Sequence, residues 1–425
     1  MNLYKKISQY FTLTAIAMGF CIAFLTVGAI YLDWFGVTNY FVNSLLGLLS
    51  IYLLLITGSK VWLWTGFWTG VVWFWWFGVS FHYYGMTWAI PLPILGAGIV
   101  YALIFLSGMT VVGILERQLK VHHLIGKILF LLILSYIHPL GSNWYKPELM
   151  FTNTYMGVEK WQFFLIMFAV ALSIYTRQAY YLAILVLAYP FATHFRADMP
   201  INTQLELHGT YTNVKDKWKP DLQPQHINDV FAAIQEAITA KKRIIVLPES
   251  IFALYLNKYP KLIAQLNDYS HDIAIVVGGL YMDENTPRNS TYIFQKGTYR
   301  VANKVKLVPF GEGNPLPDFM GKIVNKIFFD GAPSYVASAE VTDYEIDGVS
   351  YRNAICFEAT SEELYEGKPQ NMIVVSNNGW MVPSIEPTEQ KILLQYYSKK
   401  YGTTIYHSVN MSPSYIVHNG KIIKD

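Results

Sequence analysis

The chain has 425 residues, 53% hydrophobic and only 14% charged, a balance too apolar for an ordinary soluble protein of that length. Its net charge of +3 is small, and no basic cluster lies along one helix or strand, which argues against a nucleic-acid partner. Of its two cysteines, Cys21 sits in an apolar run and Cys356 in a distant, mixed polar stretch, so no disulfide is expected between them and Cys356 is a candidate nucleophile.

In chain order, apolar runs fall at 12–32, 41–58, 61–81, 89–115, 124–140, 161–175 and 178–195, near the ~20 residues that a bilayer-spanning helix requires. They predict a multi-pass α-helical membrane domain over 1–200 with seven crossings. The first run is long and lacks a small-residue cleavage site, so it reads as a retained helix. The fifth contains Lys127, expected to snorkel to the interface, and the sixth is short. Lys5 and Lys6, then Lys60, then Arg117, Lys120 and Lys127, then Arg177 fall on alternate sides of these runs. That bias puts the N-terminus in the cytoplasm and everything after the seventh run on the outer face. The loops near Asp33 and His82 carry no Lys or Arg, and the outer segment 141–160 holds only Lys146 and Lys160.

The third run is rich in tryptophan: Trp62, Trp64, Trp68, Trp73, Trp75 and Trp76, followed by Phe81, Tyr83, Tyr84 and Trp88. The plain reading is two interfacial belts, and the sharper one a wall that guides lipid chains. His122-His123 beside Lys120 reads as an interfacial polar cap, and Cys21 as a small apolar residue.

From about Thr203 the pattern changes to short β-type runs alternating with amphipathic helices, an α/β domain over 201–425. Strands are expected at 204–211, 243–247, 272–278, 290–295, 351–356, 371–375 and 404–409. Ile227, Val230, Phe231, Ile234 and Ile238 share one helix face, and a second helix is expected over 386–401, its start marked by Pro387. The C-terminal stretch 420–425 is polar, and Asn289-Ser290-Thr291 reads as a turn.

Three motifs stand at strand ends. Val246-Leu247-Pro248-Glu249-Ser250 runs an apolar strand into a carboxylate, which alone is commonly a cap or a solvated turn. Lys304 lies eight residues before Glu312 in a stretch ending Leu307-Val308-Pro309-Phe310-Gly311-Glu312. In Ala354-Ile355-Cys356-Phe357-Glu358, a cysteine ends a strand. A thiol becomes a useful nucleophile when ionised, and Glu249 is the candidate base for Cys356. Attack on an ester builds charge on oxygen, which Lys304 and the backbone N–H of Phe357 could stabilise. Glu312 would hold Lys304 and balance its charge, since a buried unpaired ammonium is costly. Glu358 either orders the site or is a helix-terminal acid.

This set resembles the nitrilase superfamily and, within it, the apolipoprotein N-acyltransferases, over essentially the whole chain. Lys304 through Glu312 is the most specific part. Cys356-Phe357-Glu358 departs from the family's Cys-Tyr-Glu at the middle residue, and Ser376-Asn377-Asn378-Gly379-Trp380 matches its Ser-Asn-Asp-Ala-Trp in part. Trp218 falls, across a gap, at a tryptophan of a mobile arm in the family. The better-known members end in an eighth membrane helix not found here, and the short chain is similar to the ε-proteobacterial branch.

The resemblance implies a nitrilase-like αββα sandwich beside the membrane domain, with Glu249, Lys304 and Cys356 as a catalytic triad at the periplasmic face of a bacterial inner membrane. It also implies transfer of an sn-1 acyl chain from a phospholipid, commonly phosphatidylethanolamine, through a Cys356 thioester. The acceptor is the α-amine of the S-diacylglyceryl cysteine of an apolipoprotein. Trp218, Phe357 and Trp380 are expected at the mouth of the lipid site; no metal or cofactor is expected, and a monomer is. Two rivals are a membrane-tethered amidase or nitrile hydrolase using water, and a transporter or sensor bearing an inactive nitrilase relic.

Overall fold

The computed structural model describes residues 8–83, 85–141, 143–191, 200–309, 311–313 and 335–424. Lys5, Lys6, Tyr84 and Phe310, and the end of the seventh apolar run, lie outside the described residues. The chain divides into two compact units, Met1–Phe195 with Pro383–Ile392, and Arg196–Val382 with Leu393–Asp425.

The first unit is helical: α1 (Leu13–Trp34), α2 (Tyr40–Ile56), α3 (Ser59–Phe74), α4 (Phe77–Tyr83), α5 (Pro91–Leu119), α6 (His123–Leu134) and α7 (Lys160–Thr176). Among the described residues, two apolar stretches are long enough to cross a bilayer, Leu13–Trp34 with 22 residues and Thr87–Leu119 with 33. Outward-facing side chains on these helices are themselves apolar, among them Phe20, Phe24, Leu45, Leu49 and Leu103. Only a nonpolar surrounding accepts such a surface over several helices. Gly66 and Gly70 let α3 press onto α5, because a Cβ on either would sit 2.4 and 2.3 Å from the carbonyl oxygens of Tyr101 and Ala97.

Several expectations are corrected here. The run at 61–81 is two helices, α3 and α4, with a break at Trp75–Trp76. The run at 124–140 is helical only to Leu134, and the run at 178–195 forms a ten-residue 3-10 helix, Ala179–Ala188. Hydropathy counts methyl groups and does not see backbone turns. Lys127 does not snorkel: it is buried, and its Nζ donates to the carbonyls of Leu55 and Thr57, both at 2.6 Å. It thereby satisfies the C-terminal end of α2, whose last carbonyls have no partner in the helix. Lys127→Met should lower the stability of the detergent-solubilised protein by about 1–3 kcal/mol, read as a drop in Tm; an unchanged Tm would mean those carbonyls find other donors. Nor do the tryptophans form only belts. Trp62, Trp73 and Trp76 are buried, with Trp73 edge-on to Tyr145 at 4.9 Å and Trp76 against Trp144 at 4.9 Å. His122 is the N-cap of α6, its Nδ1 accepting from the backbone of Leu124 at 3.3 Å.

The second unit is built on two sheets. One runs β1 (Leu205–Leu207), β2 (Ile244–Tyr255), β3 (Ala274–Asp283), β4 (Thr286–Gln295), β5 (Thr298–Asn303), and its first three strands are parallel. The other contains β6 (Asp343–Ile346), β7 (Val349–Ile355), β8 (Asn371–Asn377), β9 (Thr404–Asn410), β10 (Tyr415–His418) and β11 (Lys421–Lys424), with β7, β8 and β9 parallel. Strands buried on both faces read as continuous apolar runs, as in Ile-Ile-Val-Leu of β2 and Met-Ile-Val-Val of β8. One core layer joins the sheets face to face through Val246, Val276 and Ile293 on one side and Tyr351, Ile373 and Tyr406 on the other. A second layer packs Ile245, Leu247 and Ile275 under the helices Gln223–Thr239 and Pro260–Tyr269, through Ile234 and Leu266. The helix expected over 386–401 is present as Glu386–Tyr401, and its second half lies in this unit, with Tyr397 stacked on Tyr365 at 4.5 Å. The layering is therefore αββα. Strands β5, β6, β10 and β11 were not expected, and the polar end 421–424 is an edge strand.

Candidate active site

The site lies at the carboxyl ends of the parallel strands, where an α/β sheet leaves a crevice for ligands. β2 pairs with β3 in regular register as far as Leu247 and shifts before Phe252. Pro248, lacking an N–H, starts the disruption. Glu249 is thus turned out of the ladder, followed by Ser250 at φ +49. β3 passes so close behind this turn that a Cβ on Gly278 would lie 2.6 Å from the Glu249 Cα. Only glycine fits there.

Lys304 follows β5 and enters the site with its side chain 1% exposed. Its Nζ lies 2.8 Å from Glu312 Oε2 and 3.4 Å from Glu249 Oε1. Burial alone would pull the ammonium down, but the carboxylates of Glu312 and Glu249, helped by Cys356, hold it above the ordinary lysine range. At an effective dielectric near 20, each carboxylate contributes on the order of 5 kcal/mol at these distances, enough to offset desolvation of several kcal/mol. Lys304 is a fixed positive charge.

Cys356 ends β7 at φ +54, the left-handed region that a non-glycine residue avoids. It is half-buried and opens the 3-10 turn Cys356–Thr360, followed by the buried Phe357. Glu358 is the acid of the first turn of this 3-10 helix, as one of its two readings had it, and it also links two segments of the site. Its Oε1 accepts from Ile355 N at 2.7 Å, and its Oε2 from Val305 N at 2.7 Å and Lys306 N at 3.2 Å. One carboxyl group thus ties the strand end bearing Cys356 to the segment after Lys304.

Burial pushes Glu358 up to about 7, against the pull of Lys304 and three backbone donors. Because that value is raised above an ordinary 4.5, its contribution to stability is full below pH 4.5 and is lost as pH rises through 7. Glu358→Gln should therefore gain up to about 3 kcal/mol relative to wild type between those limits, while it loses one backbone acceptor at every pH. Tm measured for both proteins from pH 4.5 to 8 checks the sign.

Asn289, read as part of a turn, lies inside β4 and is buried. Its Nδ2 donates to Glu249 Oε1 at 2.7 Å and to Glu312 Oε1 at 2.8 Å, and its carbonyl accepts from Lys304 N at 2.9 Å. It spaces the two acids around the lysine. Lys217 was also missed: it is buried, and its Nζ donates to the Glu249 carbonyl at 2.8 Å. Neither carries a local signal: Asn289 stands between Arg288 and Ser290, and Lys217 in the charged stretch Lys215-Asp216-Lys217-Trp218-Lys219.

A family model described as the apolipoprotein N-acyltransferase integral membrane domain matches residues 13–195. An apolipoprotein N-acyltransferase of Wolinella succinogenes is 39% identical over 391 residues, covering 91% of this chain and 92% of that one. Another, of Helicobacter hepaticus, is 34% identical over 389 residues, covering 88% and 93%. The chain belongs to the apolipoprotein N-acyltransferase family.

As a member of that family it is a bacterial integral membrane protein and an acyltransferase. A CN-hydrolase superfamily protein of Xanthomonas campestris superposes on 52% of this chain and 85% of its own at a TM-score of 0.39 and 14% identity. In this N-acyltransferase family member, Trp218 lines a cleft of about 510 Å³ together with Leu254, Tyr255, Lys258, Tyr259 and Tyr335. Burial, then Glu312, Tyr255 and Glu249, hold the phenol of Tyr335 above its ordinary range, with Lys304 opposing. Trp380 does not line this cleft; it is half-buried in the turn Asn378–Trp380. The turn that bears Trp380 nevertheless lies against the arm that leads to Trp218, since a Cβ on Gly379 would sit 2.6 Å from Val214 Cγ2.

Proposed function

We propose that Cys356, Glu249 and Lys304 move an acyl chain from the sn-1 ester of a phospholipid to the α-amine of an S-diacylglyceryl cysteine at an apolipoprotein N-terminus. The observation that carries this is a permanently charged, buried Lys304 held between Glu249 and Glu312 beside the strand end that bears Cys356. Glu249 takes the Sγ proton as sulfur attacks the ester carbon. Lys304 and the Phe357 N–H stabilise the resulting oxyanion, and the proton passes to the departing lysophospholipid oxygen as the C–O bond breaks. A thioester remains on Cys356. In the second step the amine attacks that carbonyl, Glu249 takes the amine's proton, and the C–S bond breaks to restore the thiol. Glu312 and Asn289 hold Lys304 and Glu249 at fixed separation, so little reorganisation accompanies charge development.

The catalytic unit is placed at the outer face of the inner membrane with the N-terminus inside, a reading supported by Lys60, Arg117, Lys120 and Arg177 on the opposite side. Donor ester and acceptor amine both lie at headgroup height there, with their tails in the bilayer. Incubation with phosphatidylethanolamine should add the mass of one acyl chain, mapped to Cys356, and a diacylated lipopeptide should remove it. A protein that stays unmodified, or one that releases the chain only to water, would refute the transfer reading.

A further inference from the structure

The second unit contains two lysines buried next to the same pair of groups, and only one has a carboxylate within contact distance. Lys304 touches Glu249 and Glu312 through their side chains, whereas among the described residues the Lys217 Nζ reaches only the main-chain carbonyl of Glu249, at 2.8 Å. Lys217 is 3% exposed, so its ammonium has left water for one neutral acceptor. An arrangement that exists only to fill space would use an apolar side chain at lower cost.

The charges that act on Lys217 are Glu249, from β2, and Cys356, from the end of β7. Lys304 also acts on Cys356, from the end of β5. Lys304 also faces the buried carboxyl of Glu358, two residues past Cys356 and raised to about 7, so with Lys304 alone the acids Glu249, Glu312 and Glu358 and a thiolate would share a single positive charge. Burial pulls Lys217 down to about 8, with Glu249 and Cys356 opposing, so it is the softer of the two cations.

Its place is fixed by the backbone. Asn410 pins the root of the arm, accepting from Thr212 N at 2.9 Å and donating to Thr212 O at 2.9 Å, and Asn213 caps the short helix Val214–Lys217. The next residue, Trp218, lines the cleft. One arm thus delivers a cation to the Glu249 main chain and an aromatic wall to the cleft.

We propose that Lys217 is a positioning residue of the acyl-transfer site: from the Trp218 arm it anchors the Glu249 main chain and supplies the second positive charge that keeps the Cys356 thiol ionisable. The inference rests on the acyl-transfer reading for its purpose, but its test needs no lipid. The full-length protein carrying Cys21→Ala leaves Cys356 as its one thiol, and its alkylation by iodoacetamide is followed against pH. In that background, Lys217→Met and Lys217→Gln should slow alkylation at pH 7 by about tenfold, equivalent to raising the midpoint by about one unit, while Lys217→Arg keeps the wild-type midpoint.

Lys217→Gln retains an amide donor for the Glu249 carbonyl. A residue that served only as a main-chain latch would therefore leave the Gln midpoint unchanged, and that result overturns the proposal. Should Lys217→Met not fold, the Gln and Arg pair still decides. Failure of the acyl-transfer reading is separate: the wild-type protein would then form no acyl adduct although the alkylation midpoints still moved.

Discussion

Replacing Lys304 by methionine is expected to slow formation of the Cys356 acyl adduct by at least about 100-fold, the usual effect of removing one oxyanion donor. The same change leaves Glu249 and Glu312 buried around a single amide, Asn289, with no cation between them. Two buried acids left without their cation cost the fold about 3–5 kcal/mol, as when one partner of a buried pair is removed. The two effects separate by a second substitution. Lys304→Met with Glu312→Gln removes one of the stranded charges and should recover most of the lost Tm, yet acylation should stay slow. A double variant that recovers both would make Lys304 a structural group and remove it from the chemistry.

Cys356→Ala is expected to abolish the acyl adduct and to reduce transfer by roughly 10⁴-fold or more, since the members of a covalent-catalysis set act as a unit. It also isolates a strain that function imposes. Cys356 is held at φ +54, a conformation that costs a non-glycine residue about 1–3 kcal/mol. Alanine retains that cost and glycine does not. Cys356→Gly should therefore be more stable than Cys356→Ala by about 1 kcal/mol while remaining equally inactive, with Tm and intact mass measured on the same samples. Equal Tm values would mean the turn at Cys356 relaxes on its own, and the nucleophile would then not be presented under strain.

The local pieces of the site were legible because each is written in a few consecutive residues. An apolar strand runs into Glu249, a lysine precedes Glu312 by a fixed spacing, and a strand ends at Cys356; the side-chain types alone ask for a base, a cation and a nucleophile. The apolar runs likewise announced a membrane unit, and the parallel strands β2, β3, β7, β8 and β9 stood out because both of their faces are buried. The edge strands β5, β6 and β11 did not, as edge strands mix polar residues with apolar ones and look like loops, and the buried β10 is only four residues long.

The amino-acid sequence by itself determined which chemistry the protein carries, because reactive groups and their strand contexts are local properties. Tertiary structure alone decided what holds those groups. Asn289 bridges two acids 40 and 23 positions away, Lys127 closes a helix end 72 positions back, and Lys217 reaches a carbonyl 32 positions on. No short window encodes such contacts, since a buried polar side chain takes whichever partner the packing of whole sheets and helices brings within about 3 Å.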